Sequence, residues 1–241
     1  MAFLHGKGTR VLHGAYDLTT YLNEASVSHD VEANETTTFQ SSGSAKTYVV
    51  GLRDAAVSAS GLFDGSSDAI DQVLTASIGS DSLAPITIAP DGFTVGNGVV
   101  IALAKTTSYE VSSPVADVVS VSYDAQTDGG ADRAVSLAAL ASVSSTGNGT
   151  SVDNSASSTG GGIAQVHVTV NTRSAATTLK VQHSADNSTW ADLATFTSVT
   201  STQVTSERVA VSGTVNRYLR ATHTIASGTG ALTYQASFAR R

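Results

Sequence analysis

From Glu24 to Glu32 the chain alternates. Ala25, Val27, His29 and Val31 fall on one side, and Glu24, Ser26, Ser28, Asp30 and Glu32 on the other. A period of two with one apolar side predicts a strand with one buried and one wet face. A second extended run covers 47–63, with Tyr48, Val50 and Leu52, then Ala55, Val57 and Ala59, ending at Leu62 and Phe63. Further strands are predicted at 86–89, 93–104 and 115–123, and Asn97-Gly98 is a strong hairpin-turn signal. One helix interrupts them near 67–78, where Ile70, Val73, Leu74 and Ile78 form a single stripe that must pack on a sheet. Ser66 or Ser67 can cap its start, Asp68 and Asp71 suit the positive end of its dipole, and Gly79 can end it.

The pattern stops at 141–162, ASVSSTGNGTSVDNSASSTGGG, which has too few apolar groups to offset the entropy of ordering it and reads as a linker or long exposed loop. Beyond it everything is strand. Val166, Val168 and Val170 alternate with Gln165, His167 and Thr169; Leu179 with Val181, Val209 with Val211, Leu219 with Ala221, and Leu232 through Phe238 repeat the habit. The turn Ala185–Thr189 precedes Trp190. The expected fold is mainly β: a β-sandwich or barrel with one flanking α-helix in 1–140, the linker 141–162, and an antiparallel β-sandwich of jelly-roll or immunoglobulin-like type in 163–241. An α+β arrangement of the first part fits the same pattern.

Composition sharpens this picture. Apolar residues make up 41% and charged residues 14% of 241, the palette of a β-rich chain with small side chains. No apolar run approaches the roughly 20 residues of a membrane span, the opening MAFLHGKGTR lacks the apolar stretch of a secretory signal, and there is no cysteine. Residues 1–140 hold 16 acids against 6 bases, whereas 141–241 hold 4 acids against 7 bases. Two modules in different surroundings are expected, and the acidic one should repel phosphate backbones.

Candidate chemistry is sparse. The six histidines lack metal-ligand spacing and read as strand-surface or half-buried imidazoles. Asp124, Asp128 and Asp132 only faintly resemble a calcium loop and lack its closing Glu. No nucleophile–base pair, phosphate loop or cofactor motif is evident, so no enzyme, metal or cofactor is expected. Two features remain: the polar face with Glu24, Asp30 and Glu32, and the turn Ser184–Trp190, whose Asp186, Asn187 and Trp190 are candidate glycan contacts if the indole is an exposed platform rather than core.

The stretch YDLTTYLNEASVSHDVEANETTTFQSSGSAKTYVVGLRDAAVSASGLFDG, the helix SSDAIDQVLTASIG and the later YEVSSPVADVVSVSYDAQTDGG together resemble the major tail tube protein of long-tailed, siphovirus-type bacteriophages, over roughly residues 10–137. Gln40 stands where many such tubes have a glycine after TTF. The resemblance implies a β-sandwich or barrel flanked by one helix, assembled as hexameric rings stacked into a hollow tube that conducts genomic DNA. The chain would then be made in the host cytoplasm and end in the virion tail. Its partners would be further copies of itself, tail tip or baseplate and terminator proteins, a tape measure protein inside the tube, and DNA passing without specific binding. Glu24, Asp30 and Glu32 would line the lumen. Residues 33–46, including Asn34, Thr36, Thr38, Phe39, Ser42, Gly43 and Lys46, would form the arm that reaches the neighbouring ring. Residues 163–241 are similar to small β-sandwich domains appended to phage virion proteins and to carbohydrate-binding jelly rolls, which implies an exterior decoration that meets host-surface glycans. A distal tail or baseplate component, a head decoration protein and a carbohydrate-binding adhesion protein are the alternatives.

Overall fold

The computed structural model describes residues 4–39 and 45–241. Strands dominate it. The first half contains β1 (Arg10–His13), β2 (Tyr16–Asp17), β3 (Leu22–Glu35), β4 (Tyr48–Leu62), the helix α1 (Ile70–Ser77), β5 (Ala84–Ala89), β6 (Gly98–Ser112) and β7 (Ser120–Val143). The second contains the short β8 (Gly147–Asn148) and β9 (Val152–Asp153), then β10 (Gly162–Asn171), β11 (Thr177–Ser184), β12 (Ala191–Thr195), β13 (Thr205–Val211), β14 (Tyr218–Ile225) and β15 (Leu232–Arg240). The fold is thus mainly β with antiparallel pairing and one α-helix, as the alternation predicts.

Several boundaries differ from the sequence reading. The helix begins only at Ile70, with Ala69 rather than a serine at its cap. Ile70, Val73 and Leu74 are buried, but Ile78 lies past the last turn and is exposed. Each of the three buried side chains contributes about 2 kcal/mol by leaving water. Tyr109 Oη donates to Asp71 Oδ1 at 2.8 Å, tying the helix to β6. Residues 93–97 form the turn into β6 instead of opening it, and 115–119 form the β6–β7 connection.

The larger sheet runs β13-β10-β15-β7-β6-β5-β1-β2, with β4 added to β7 and β3 to β4. Strand β7 makes this possible by length: its first part pairs with β4 and β6, and its second with β6 and β15. The sheet therefore continues across residue 140. A smaller sheet, β12-β11-β14 with β8 and β9 added to β14, covers its second half. Three cores result: one between the two sheets, one under α1 built by Val57, Ala59, Val121 and Tyr123, and one from both halves, where Leu12, Ile101 and Ala134 meet Ile163 and Ala239.

Residues 141–162 correct the linker expectation. Their first residues belong to β7, β8 and β9 pair with β14, Ser158 bridges to Val215, and Asp153 forms a two-pronged ion pair with Arg217. The glycines at the end serve close approach, not looseness: at Gly161, φ is +73° and an added Cβ would lie 2.1 Å from the Val211 carbonyl oxygen.

The histidine expectation holds for four of the six, His5 and His29 being exposed and His183 and His223 half-buried, and is corrected for His13 and His167, which are buried. The sheet curls until β10 and β13 face β1 and β5, and a polar chain fills the joint. Asp132 pairs with Arg208, which donates to Gln165 Oε1. Gln165 Nε2 donates to Thr87 Oγ1 at 2.8 Å, Thr87 Oγ1 lies 2.7 Å from His167 Nε2, and His167 Nδ1 lies 2.7 Å from the Gly14 carbonyl oxygen. Gln165, His167 and Thr87 are fully buried, so their alternation with valines marks a strand buried on both faces. His13, also buried, stands edge-on to Tyr123.

Candidate assembly surfaces

The acidic face is broader than one strand. Pairing sets Glu24 opposite Ser60, Ser26 opposite Ser58 and Asp30 opposite Asp54. The next strand sets Ser60 opposite Ser122 and Ser58 opposite Asp124, and the last sets Glu110 opposite Ser122 and Ser108 opposite Asp124. Directly opposed residues share a face, so four strands in the order β3-β4-β7-β6 present one surface of hydroxyls and carboxylates. The bulge between Val31 and Ala33 puts its extra residue on β4, so β3 keeps its alternation and Glu32 stays in line with Asp30, beside Gly51. Glu24, Asp30 and Glu32 are all exposed.

Asp54, Glu110 and Asp124 belong to this surface and were missed in the sequence. Their signal, an acid or serine at every second position, is present, but the register that aligns distant strands is not. Asp124, weighed above in a calcium loop, is a strand residue whose Oδ1 accepts from Ser58 Oγ at 2.6 Å, and Asp132 is held by Arg208 and Arg241. Among the described residues no cluster of three or more His, Asp or Glu is disposed to hold a metal. Gln126 Nε2 donates to Asp54 Oδ1 at 2.6 Å. Lys105, on the same surface opposite Gln126, leans 3.3 Å from Asp81 at its margin. The opposite face of the four strands is apolar and carries α1.

Both margins of this block are open. Strand β3 is paired only with β4 along its whole length, and from Lys105 onward β6 is paired only with β7. Each therefore presents a row of unshared backbone donors and acceptors, which a second chain can pair with.

The arm extends beyond the rest of the block. Strand β7 accompanies β4 only from Ala56 to Leu62, so Asp30–Glu35 and Tyr48–Asp54 form a two-stranded ribbon. Asn34 lies in that ribbon opposite Val49. Thr36 N donates to the Thr47 carbonyl at 2.8 Å, Lys46 pairs with Glu35 at 2.8 Å, and Phe39 is fully exposed. Thr38 is exposed and makes a contact of its own. Ser42 and Gly43 lie outside the described residues.

At the other candidate site, the turn uses its own polar groups. Asp186 accepts from Thr189 N at 2.7 Å, Ser188 N at 2.9 Å and Ser184 Oγ at 2.8 Å, and these bonds, the backbone ones foremost, hold its carboxyl well below the usual range. Asn187 takes the left-handed turn conformation, φ 59°. Trp190 is half-buried, with the Arg220 guanidinium 4.1 Å from its ring centroid and anchored on Gln182. What the turn offers a ligand is thus the Trp190–Arg220 stack rather than the Asp186 carboxylate. The hydroxyl–imidazole pair Thr87–His167 is the arrangement nearest to a catalytic one, but both members are fully buried, so no substrate reaches them.

No protein-family model matches the sequence, and comparison with curated proteins finds no match. Among solved structures, a chain of the virion of a native gene transfer agent particle is similar at 17% identity and a TM-score of 0.44, covering 54% of this chain and 98% of that one. The SPP1 tail tube is similar at 13% identity and 0.44, covering 54% of this chain and 78% of its own. The SPP1 Dit protein, described as a hub of the adsorption apparatus of phages infecting Gram-positive bacteria, is similar at 16% identity and 0.37, covering 96% and 98%. At these scores the likeness is one of outline alone.

Proposed function

We propose that this chain is a structural protein of a bacteriophage tail whose copies join edge to edge, β3 of one beside β6 of the next, into rings that stack as a hollow tube for DNA passage. The observation that carries this reading is the block β3-β4-β7-β6: two open margins, one acid-and-hydroxyl face, and an apolar face already covered by α1 and the core. Closing the margins removes every free edge. With six copies, the number the resemblance implies, four strands each at about 4.8 Å spacing and about 40° tilt give a barrel about 48 Å across the backbone, wide enough for a duplex. Carboxylates turned inward repel phosphates, so the genome slides without being held. The second half lies outside, where its Trp190–Arg220 stack is the surface for host glycans.

Negative-stain microscopy of the concentrated protein tests the assembly: hollow tubes are expected, a single ring with no stacking moves the chain to the distal tail, and a protein that stays monomeric defeats the proposal. Reversing Glu24, Asp30 and Glu32 to Lys should leave tubes intact and slow or block DNA ejection. Unchanged infectivity of that variant refutes the lumen assignment.

A further inference from the structure

The smaller sheet has one uncovered face. Leu179, Val181, Leu219 and Ala221 point into the core between the sheets, so the residues that alternate with them on β11 and β14 point away from it. Register sets Asp192, Gln182 and Arg220 in one row across β12, β11 and β14. The next row sets Lys180 opposite Thr222, and Thr222 opposite Asn148 of β8. Side chains tie the rows together. Lys180 Nζ donates to Asp192 Oδ2 at 2.6 Å, and Gln182 Nε2 donates to Asp192 Oδ1 at 2.8 Å. Gln182 Oε1 accepts from Arg220 Nε at 3.0 Å and from Nη2 at 2.8 Å. With one end of its amide on Asp192 and the other on Arg220, Gln182 fixes where the guanidinium stands.

Charge on this face is left unbalanced at Arg220. Asp192 is met by Lys180, and Asp153, opposite Tyr218 at the start of β14, is met by both prongs of Arg217. Arg220 has no carboxylate partner among the described residues, and its Nη1 donates to none of them. Gln182 occupies the Nε–Nη2 edge of the fork, which leaves the Nη1–Nη2 edge for both oxygens of one carboxylate or phosphate. The guanidinium lies 4.1 Å from the Trp190 ring centroid and covers one face of the indole, so a neutral sugar finds no open platform there. A donor fixed before its ligand arrives loses little freedom on binding.

The surroundings select the partner. Residues 1–140 hold 16 acids against 6 bases and repel polyanions, whereas 141–241 hold 4 against 7. Among the described residues of the second half only Val170 and Val204 are large apolar side chains standing exposed, too few for a protein-docking patch. One uncompensated arginine on an indole it already covers lacks the run of cations and open rings that nucleic acid needs. We infer that the outer face of β12-β11-β14 binds an acidic glycopolymer, Arg220 taking its carboxylate or phosphate groups and the exposed Asn148 meeting sugar hydroxyls beside it. This rests on the reading that the second half meets host glycans, and it makes their class anionic rather than neutral.

Trp190 is the sole tryptophan, so its emission reports on this site. Full-length protein is titrated with polygalacturonate, poly(glycerol phosphate), dextran and single-stranded DNA. One or both acidic polymers should shift the emission and bind, about tenfold more weakly at about 0.5 M than at about 0.05 M sodium chloride, and dextran should not. Binding of polygalacturonate alone assigns carboxylate, of poly(glycerol phosphate) alone assigns phosphate, and of both makes the charge the common requirement. Arg220→Gln should weaken binding at least about tenfold. Gln182→Glu sets a carboxylate against Arg220, so its melting curve should match wild type while acidic polymers bind at least about tenfold more weakly. Unchanged affinity in Gln182→Glu overturns the inference even where Arg220→Gln fails to fold. Dextran bound as tightly as the acidic polymers overturns it and leaves the glycan surface standing. DNA bound more tightly than either acidic polymer assigns nucleic acid and overturns it too. If no polymer binds, the inference and the glycan reading fall together.

Discussion

Acidification should unfold this protein through its histidines before its carboxylates matter. Burial pushes His13 and His167 down from the ordinary 6.5 to about 4, since neither can hold a charge away from water. In His167 the Gly14 carbonyl works against the shift and the neighbouring His13 adds to it. Between pH 6.5 and 4 the unfolded chain binds protons at these sites that the folded chain refuses, so stability rises with pH across this window. It is full above 6.5 and falls away as the pH drops toward 4. A displacement of about 2.5 pH units corresponds to about 3 kcal/mol per histidine at pH 4, a large share of the ~5–15 kcal/mol by which proteins are stable. His183 and His223, lowered chiefly by partial burial, add smaller effects of the same sign. The aspartates with depressed values, among them Asp153 and Asp192, lose their partners only below the ordinary carboxylate range, so the window isolates imidazole. Urea denaturation of dilute protein, followed by Trp190 fluorescence at half-unit steps from pH 7.5 to 4.5, should show a midpoint that falls steadily below 6.5. His13, whose ring nitrogens have no hydrogen-bond partner, can be replaced by Phe without breaking a bond. His13→Phe should cost little at pH 7 and remove about half of the slope. A flat profile between pH 7 and 5, or an unchanged slope in the variant, refutes the reasoning.

Arg173 is buried, has no carboxylate partner among the described residues, and donates to the carbonyls of Ala226, Gly228 and Gly230. Arg173→Ala should cost about 3 kcal/mol in denaturation experiments, and Lys should recover less than half of it because a point charge cannot span three carbonyls; a loss below about 1 kcal/mol contradicts this. Gly161→Ala, strained in φ and driven into the Val211 carbonyl, should cost about 2–4 kcal/mol, whereas Gly129→Ala, at φ +81° with open space around it, should cost only about 1–2 kcal/mol. Equal losses would remove the steric argument. Raising sodium chloride from about 0.01 to 0.3 M should favour tube formation by shortening the Debye length, and replacing Asp30 and Asp54 by Asn should weaken that dependence; light scattering that ignores salt excludes repulsion between copies as the restraint.

The strands of both halves were legible because small apolar residues recur every second position, and the long hairpin was legible from its two runs and its polar loop. The width of the acidic face was not, since the pairings Asp30–Asp54 and Ser58–Asp124 depend on register between strands far apart in the chain. The polar joint was hidden for another reason. Gln165 and His167 alternate with valines as a solvated face does, and only the curl of the sheet reveals that their side is buried against Thr87. Residues 141–162 misled through composition: glycine serves flexible segments and tight contacts alike, and here Ala239 and Val211 leave room for nothing larger at Gly162 and Gly161.

A chain with two open sheet margins runs the risk of pairing indiscriminately, and the acidic face answers it. On the tube reading, closing β3 against a neighbour's β6 sets the carboxylate row of β3, Glu24, Asp30 and Glu32, on the same bore as Glu110 of β6, a like-charge repulsion that Lys105, turned to Asp81, does not cancel. On the tube reading the same carboxylates therefore restrain premature assembly and keep the finished bore from holding DNA. Substitutions that relieve one function must impair the other, and across a graded series of neutralised positions faster polymerisation should accompany slower ejection.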